Sequence, residues 1–498
     1  MTSPGKAIVI GTGFGGLASA LRLRKLGHDV TVLERCHQPG GRAQTFTLGG
    51  TPFDAGPTVV TAPYLFAELF EMFGKDIADY VEIKPLEPVW YRYNFKNGFE
   101  FDYGNNEYFI EQLRQHFPQE VEGYRKLYKH AERIFDLGYE KLADTPFHNI
   151  GFMLKNVPAI LKFNGYRSVY GLITKYIKSP ELVQALCTPP LLLGGNPKTA
   201  SSIYFLIHIL EQKYGVHYAM GGTGQLVRSL CTLAREEGVT FSYNTTVTDI
   251  ETQGRDVTAV RDADGQQHKA ESFVFNGDPA HFYSHIAPRS DQDSGLLPHL
   301  RTKIQQPSMG LVVVYFKTSK RYDDVQHHTI GFSENYDHIL KTLFARRPPE
   351  ELPEDLSFYL HRPAATDPEV TNKNEDAFYV LVPVPNLRHN TDYDYSAYAD
   401  TILSVLEERL LPDLRKHLTH MDYVDPAYFQ TRLLSRYGAG FSLQPTLAQS
   451  AWFRYHNKGG GYNNLYFVGA GTHPGAGLPG VVNSAKIIER LYRNNNTQ

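Results

Sequence analysis

Cysteine is scarce. The 498 residues contain three, Cys36, Cys187 and Cys231. They are far apart, odd in number and without CxxC or Cys/His ligand spacing. That argues against a disulfide framework, an iron–sulfur cluster or a zinc site, and for three reduced thiols and no bound metal. An excess of one charge is also missing. Lys and Arg number 50, Asp and Glu 53, and the formal net charge is -3. Nothing global points to nucleic acid, and any basic surface must be local. No segment approaches roughly 18 uninterrupted apolar residues, so no membrane-spanning helix is expected. The N-terminus lacks a basic stretch followed by an apolar run, so no signal peptide is expected. The expected location is the cytoplasm, peripheral on the cytoplasmic face of the inner membrane. At roughly 100–200 residues per domain the chain holds two or three units, large enough to fold without a staple.

What is present begins at Ala7, Ile8, Val9 and Ile10, a short apolar run that reads as a buried parallel strand. Gly11-Thr12-Gly13-Phe14-Gly15-Gly16 follows. Leu17, Ala20 and Leu21 then recur at helical spacing, with Gly27 as a C-terminal stop. Val30 to Leu33 reads as a second strand, ending at Glu34. Gly11 permits a tight turn, Gly13 admits a pyrophosphate close to the backbone, and Gly16 lets helix and strand pack closely. The helix N-terminus offers unpaired N–H groups to phosphate. Glu34 can accept hydrogen bonds from a ribose hydroxyl. Alone, this pattern does not separate FAD from NAD.

The residues that follow do. Glu34, Arg35, Gly40, Gly41 and Arg42 form a stretch that resembles the ExxxxxGGR extension of the flavin amine oxidase and carotenoid desaturase superfamily. By that resemblance the diglycine lies near the pyrophosphate and Arg42 stays close to the flavin. Gly56, Pro57 and Thr58 follow in FDAGPT. Met220-Gly221-Gly222-Thr223-Gly224 opens a helix running to about Glu237, and residues 239–249 read as strands. In the superfamily a residue at the position of Val247 contacts adenine through its backbone; an ordinary core valine reads the same.

Near the C-terminus an apolar strand, Leu465 to Val468, leads into Gly469-Ala470-Gly471-Thr472-His473-Pro474-Gly475-Ala476-Gly477-Leu478-Pro479-Gly480, and Val481 onward reads as a helix. This second strand, glycine loop and helix suits phosphate or the flavin ring edge. Closed by Ser484, it resembles the signature of bacterial-type phytoene desaturases. FDAGPTVVTAP (53–63), LLLGGNPKTASSIYFLIHILE (191–211), YLHRPAATD (359–367), YVLVPVPNL (379–387) and QSAWFRYHN (449–457) extend the resemblance over nearly the whole chain.

The resemblance implies an α/β fold: a Rossmann-like FAD-binding domain of the amine-oxidase type, an α+β substrate domain and a helical, membrane-associated region. The first is expected at 1–60, 218–280 and 441–498, the second at 61–140 and 281–440, the third at 141–217. FAD is the expected cofactor, held by Gly11, Gly13, Phe14, Gly15, Gly16, Glu34, Arg35, Gly41, Arg42, Gly56, Pro57, Thr58, Val247, Gly469, Gly471, Gly480 and Val481. The implied reaction removes hydrogen pairs from phytoene and carotene intermediates, up to lycopene. A C30 or hydroxylated-carotene substrate, a flavin amine oxidase, and a non-catalytic carotenoid carrier are the alternatives. Quinone or oxygen is the expected electron acceptor, and self-association is compatible with the sequence.

A C40 hydrocarbon stays in the bilayer, at about 0.8 kcal/mol per CH2 moved out of water. Residues 145–180 contain no Asp or Glu but interleave Lys155, Lys162, Arg167, Lys175 and Lys178 with Phe152, Leu154, Ile160 and Leu161. This suits an interfacial helix on anionic lipid, broken into pieces at Pro158 and Gly165. A core-facing amphipathic stretch with a solvated basic face reads the same. Tyr and Phe, 32 and 29 in number, suit an apolar tunnel as well as a core. Desaturation needs one hydrogen to leave as hydride and its neighbour as a proton, which requires a base or a water path. His473 is the catalytic candidate, with fixing the loop as its alternative role. His208, Glu211, His361 and Asp367 lie in family-like segments, with positions in space that sequence does not give.

Overall fold

The computed structural model describes residues 5–287, 296–389 and 392–495. A five-stranded parallel sheet runs in the order Thr240–Ser242, Asp29–Leu33, Lys6–Ile10, Ser272–Phe275, Leu465–Phe467. Three stretches of chain hundreds of residues apart thus build one sheet. Its central strands are apolar on both faces: Ala7, Val9, Val30 and Val32 pack on helices, while Ile8, Ile10, Phe273 and Phe275 pack on Val247, Ile250, Val257 and Val260 of a three-stranded antiparallel sheet. Phe14–Lys25, the helix after the first strand, packs against Thr223–Glu236 and Leu478–Asn495. Leu478–Asn495 begins three residues before the expected Val481. Pro479 lies in its first turn, where a missing N–H costs nothing.

The second sheet has seven strands, ordered Leu418–Val424, Gly310–Thr318, Asp376–Val384, Phe358–His361, His328–Phe332, Val89–Phe95, Glu100–Gly104. Its pairings are antiparallel except that of His328–Phe332 with Val89–Phe95. Alternation divides Gly310–Thr318 between two faces. Val312, Val314 and Phe316 pack with Tyr398, Ile402 and Leu406 of helix Tyr395–Arg409. Leu311 and Val313 face a cavity on the other side.

Between the first strands of the second sheet and residue 217 the chain is largely helical, with Val121–Phe135, Ile150–Lys162 and Leu206–Tyr214 among its helices. The expected break at Pro158 does not occur, and Ile150–Lys162 runs through it. Proline removes the N–H that would bond the carbonyl of Leu154. Leu154 is 63% exposed, so water can serve that carbonyl. Gly165 lies just beyond the helix end, its N–H donating to the Ile160 carbonyl. Among the described residues no helix is long and apolar enough to cross a membrane.

Candidate active site

A cavity of about 520 Å³ lies between the two sheets. At one end are residues 11–15, whose loop is set by Gly11 and Gly16. Gly11 has φ 99°, and a Cβ on Gly16 would lie 2.1 Å from the Gly11 carbonyl oxygen. The C-terminal loop closes on the same spot. A Cβ on Gly15 would lie 3.3 Å from both the Gly469 nitrogen and the Val481 oxygen. Gly469, Gly471, Gly480 and Val481 line the cavity with Gly11, Gly13, Phe14 and Gly15. Gly16 lies behind, buried against Gly11. Ser484 ties the second loop down, accepting from the Gly469 N–H at 3.0 Å and donating to the Val481 carbonyl at 2.6 Å.

Glu34 is buried at this end. Its carboxylate accepts from the Thr12 N–H (2.9 Å), the Thr12 hydroxyl and the Cys36 N–H (2.8 Å). It therefore fastens the glycine loop to the end of its strand. A carboxylate has about four lone-pair sites, so one remains for a ribose hydroxyl. Arg35 donates to the carbonyls of Thr431 and Arg432, both at 2.9 Å, at the cavity wall. Arg42 donates to the Ser435 hydroxyl at 3.2 Å, but its buried Nε has no partner. Burial lowers the Arg42 pKa, so a nearby anion would suit it. Gly41 and Val247 line the same wall.

Segment 55–58 is clamped by phenols. Tyr315 donates to the Ala55 carbonyl and Tyr379 to the Gly56 carbonyl, both at 2.9 Å. The Thr58 hydroxyl lies 2.8 Å from those of Tyr359 and Tyr379, and Tyr359 lies 2.7 Å from His328 Nδ1. Because Tyr379 donates to Gly56, Thr58 donates to Tyr379, Tyr359 donates to Thr58, and His328 Nδ1–H donates to Tyr359. Asp54, next to this segment, accepts from the N–H groups of Thr223 and Gly224 at 2.9 Å each. Two motifs that the sequence presents separately therefore meet. Burial pushes the Asp54 pKa up to about 6 against those hydrogen bonds.

Sequence reading missed Asn276, whose side chain lies against Gly13, Gly15 and Gly469. Its signal was available: Asn276 follows a strand, as Gly11 and Gly469 do. Tyr315, Tyr359 and Tyr379 were also missed, because a strand pattern gives the face of a side chain but not its partner.

His473 does not fit the catalytic role expected for it. It is absent from the cavity wall, although Pro474 is part of it. Its Nε2 donates to the Leu142 carbonyl at 3.0 Å, and its ring packs on Phe147 at 4.7 Å. Burial pushes its pKa down to about 4. The imidazole thus pins the loop to the helical part. Asp367 is likewise structural, accepting from the Gly221 N–H at 2.9 Å. His361 joins His327 and His328 in a buried group whose nitrogens lie within 4.8 Å of one another. The three imidazoles are held neutral by burial, and the Arg362 guanidinium beside His327 disfavours a further cation.

The model for flavin-containing amine oxidoreductases matches residues 14–487. The chain belongs to this family. Its cofactor is FAD. A phytoene desaturase (lycopene-forming) from Paracoccus sp. is 43% identical over 97% of this chain and 96% of its own length. A phytoene desaturase (neurosporene-forming) from Rhodobacter capsulatus is 39% identical over 98% of this chain and 94% of its own. Among solved structures, an oxidoreductase from Methanosarcina mazei shares the fold, with a TM-score of 0.66, 16% identity, and coverage of 97% of this chain and 100% of its own. The site fits the family's flavin. It offers two helix N-termini behind glycine loops, a buried guanidinium nitrogen without a partner, and backbone surfaces that no Cβ obstructs.

Proposed function

We propose that this protein is an FAD-dependent desaturase that carries 15-cis-phytoene through successive dehydrogenations to all-trans-lycopene. One observation carries the reading: the cavity that begins at the glycine loops continues along an apolar wall of Leu191, Leu193, Leu206, Ile207, Leu210 and Met309. A dinucleotide and a hydrocarbon chain can therefore share one continuous cavity. The names and near full-length similarity of the Paracoccus and Rhodobacter relatives support the substrate class. In this reading residues 11–16, 34–42, 469–471 and 480–481 hold the diphosphate and sugars, and the clamped segment 55–58 borders the flavin ring. Bound there, FAD supplies two-electron oxidation of a saturated carbon–carbon bond. The apolar wall excludes water from the hydrocarbon, and the phenol clamp keeps segment 55–58 fixed against it.

The reading includes peripheral attachment to the cytoplasmic face of the inner membrane. Helix Ile150–Lys162 exposes Ile150 (47%), Leu154 (63%) and Leu161 (54%) beside the exposed Lys155 and Lys162. Exposed Phe453 belongs to the neighbouring turn Ala451–Phe453. Leu297, Leu300 and Ile304 are exposed on helix Leu296–Ile304, which packs through Arg301 on Trp452. Such a patch with basic neighbours suits an anionic bilayer. Quinone or oxygen reoxidises the flavin between steps. The test incubates FAD-loaded protein with liposomes containing phytoene or its C30 analogue, and identifies products by absorbance and mass. Lycopene from phytoene supports the reading. Conversion of the C30 compound alone assigns a sister activity, and conversion of neither sinks the desaturase reading.

A further inference from the structure

The apolar wall contains one carboxyl group. Three carboxylates line the cavity among the described residues: Glu34, Asp278 and Glu211. Glu34 is bound to the glycine loop. Asp278 accepts from the N–H groups of Ala280 and Arg436, both at 2.9 Å. Glu211 stands apart, on helix Leu206–Tyr214, whose Ile207 lies one turn before it on the same face and whose Leu206 and Leu210 line the same wall. It is 3% exposed.

Its partners are phenols. Tyr91 donates to Oε1 at 2.9 Å, and Tyr103 lies 3.5 Å from Oε2. Tyr103 also contacts His208 Nδ1 at 2.9 Å and accepts from Gln212 at 2.9 Å, while Tyr124 contacts His208 Nε2 at 3.0 Å. Both nitrogens of His208 are thus occupied, and burial pushes its pKa down to about 3. Tyr93, on the strand of Tyr91, is the remaining titratable neighbour. No Lys or Arg is among these groups. Without a cation, burial pushes the Glu211 pKa up to about 8. The Tyr91 ring packs on His328 at 5.6 Å, the imidazole that reaches Thr58 through Tyr359. Glu211 is thereby two side chains removed from the clamp on segment 55–58.

We propose that the Glu211 carboxylate accepts the proton lost by the substrate in each desaturation. This deepens the desaturase reading and rests on it. One C–H bond breaks and its electron pair leaves as hydride to the two-electron oxidant of the family, FAD. On the adjacent carbon a second C–H bond breaks. Its electron pair becomes the new π bond, and its proton forms an O–H bond on Glu211. That proton returns to solvent before the next step. A hydrocarbon offers no acceptor of its own, and positive charge develops on it as hydride leaves. A carboxylate in an apolar wall meets both needs at once. Phenols that donate to it stabilise the charged form without adding a competing cation.

The test compares parent, E211Q and E211D as FAD-loaded proteins on whichever polyene the parent accepts, C40 or C30. E211Q should keep its flavin spectrum and lose about 10²–10⁴-fold in rate, the usual contribution of a general base. The parent rate should rise with pH through a midpoint near 8 and level off above it, E211Q should lose that rise, and E211D should recover part of the rate. Infrared spectra of the apo-protein give a readout independent of turnover: a protonated-carboxyl band that titrates near pH 8 and is missing from E211Q. Parental rate and pH profile in E211Q, or no such band in the parent, overturns the proposal. A parent inactive on both chain lengths overturns the desaturase reading and this role with it, and is told apart by failing before any variant is made.

Discussion

Replacing Glu211 by Gln should make stability less sensitive to pH, and the size follows from the carboxyl's surroundings. Burial against phenols raises its pKa from 4.5 to about 8 in the folded protein. A raised folded pKa means that the native state binds the proton more tightly than the unfolded chain. The resulting stabilisation is complete below the unfolded value of about 4.5 and disappears as pH rises through about 8. At about 1.4 kcal/mol per unit, the full swing is about 5 kcal/mol, of which about 4 kcal/mol is lost between pH 5 and 9. Unfolding entropy of about 2.1 cal/mol/K per residue makes 1 kcal/mol worth about 1 °C in a chain this long. Glutamine has the same shape, keeps an oxygen for Tyr91, and does not titrate. Melting both apo-proteins from pH 5 to 9 should therefore show the parent losing about 4 °C relative to E211Q, mostly between pH 5 and 8. All other groups titrate alike in the two proteins, so the difference isolates Glu211. A difference in Tm that does not vary over this range would refute the claim that the carboxyl is buried without a compensating cation.

Other outcomes are equally specific. Gly13→Val should abolish FAD retention, since a Cβ there lies 2.8 Å from the Asn276 amide and the larger side chain enters the cavity; normal flavin absorbance would remove residues 11–16 as the site. Replacing Lys155, Lys162 and Arg167 together by Glu should strip the protein from anionic liposomes in sedimentation, each basic residue near the surface contributing about 1 kcal/mol. Unchanged co-sedimentation would move docking to another face. His473→Gln should lower Tm through the lost or weakened Leu142 bond, worth about 1 kcal/mol, while turnover stays within a few-fold; a loss of 100-fold with flavin retained would return His473 to the chemistry.

Local pattern carried much of the fold. Strands Lys6–Ile10 and Leu465–Phe467 announce themselves by apolar runs before glycines, and their loops meet where two phosphate-binding turns would grip one cofactor. Pro158 was misread because the cost of proline depends on whether water reaches the orphaned carbonyl, and exposure is a tertiary property. The phenol clamp was invisible because the loop 55–58 and the strands that carry Tyr315, Tyr359 and Tyr379 meet across 260 to 323 residues of chain, and neither pattern records the other. His473 drew notice through its motif, yet its buried ring points away from the cavity to Leu142. Glu211 was noticed only as part of a family-like segment. Its importance comes from what surrounds it, a wall of leucines and a ring of tyrosines drawn from two other elements.

The central claim is that a bound flavin oxidises a polyene inside this cavity. An anaerobic single-turnover experiment tests it most directly: FAD-loaded protein is mixed with phytoene liposomes without oxygen or quinone, and flavin absorbance is followed while the polyene is extracted. The account predicts that the flavin bleaches and that one new carbon–carbon double bond appears per flavin reduced. Phytoene that binds while the flavin stays fully oxidised would contradict it and make the protein a carrier.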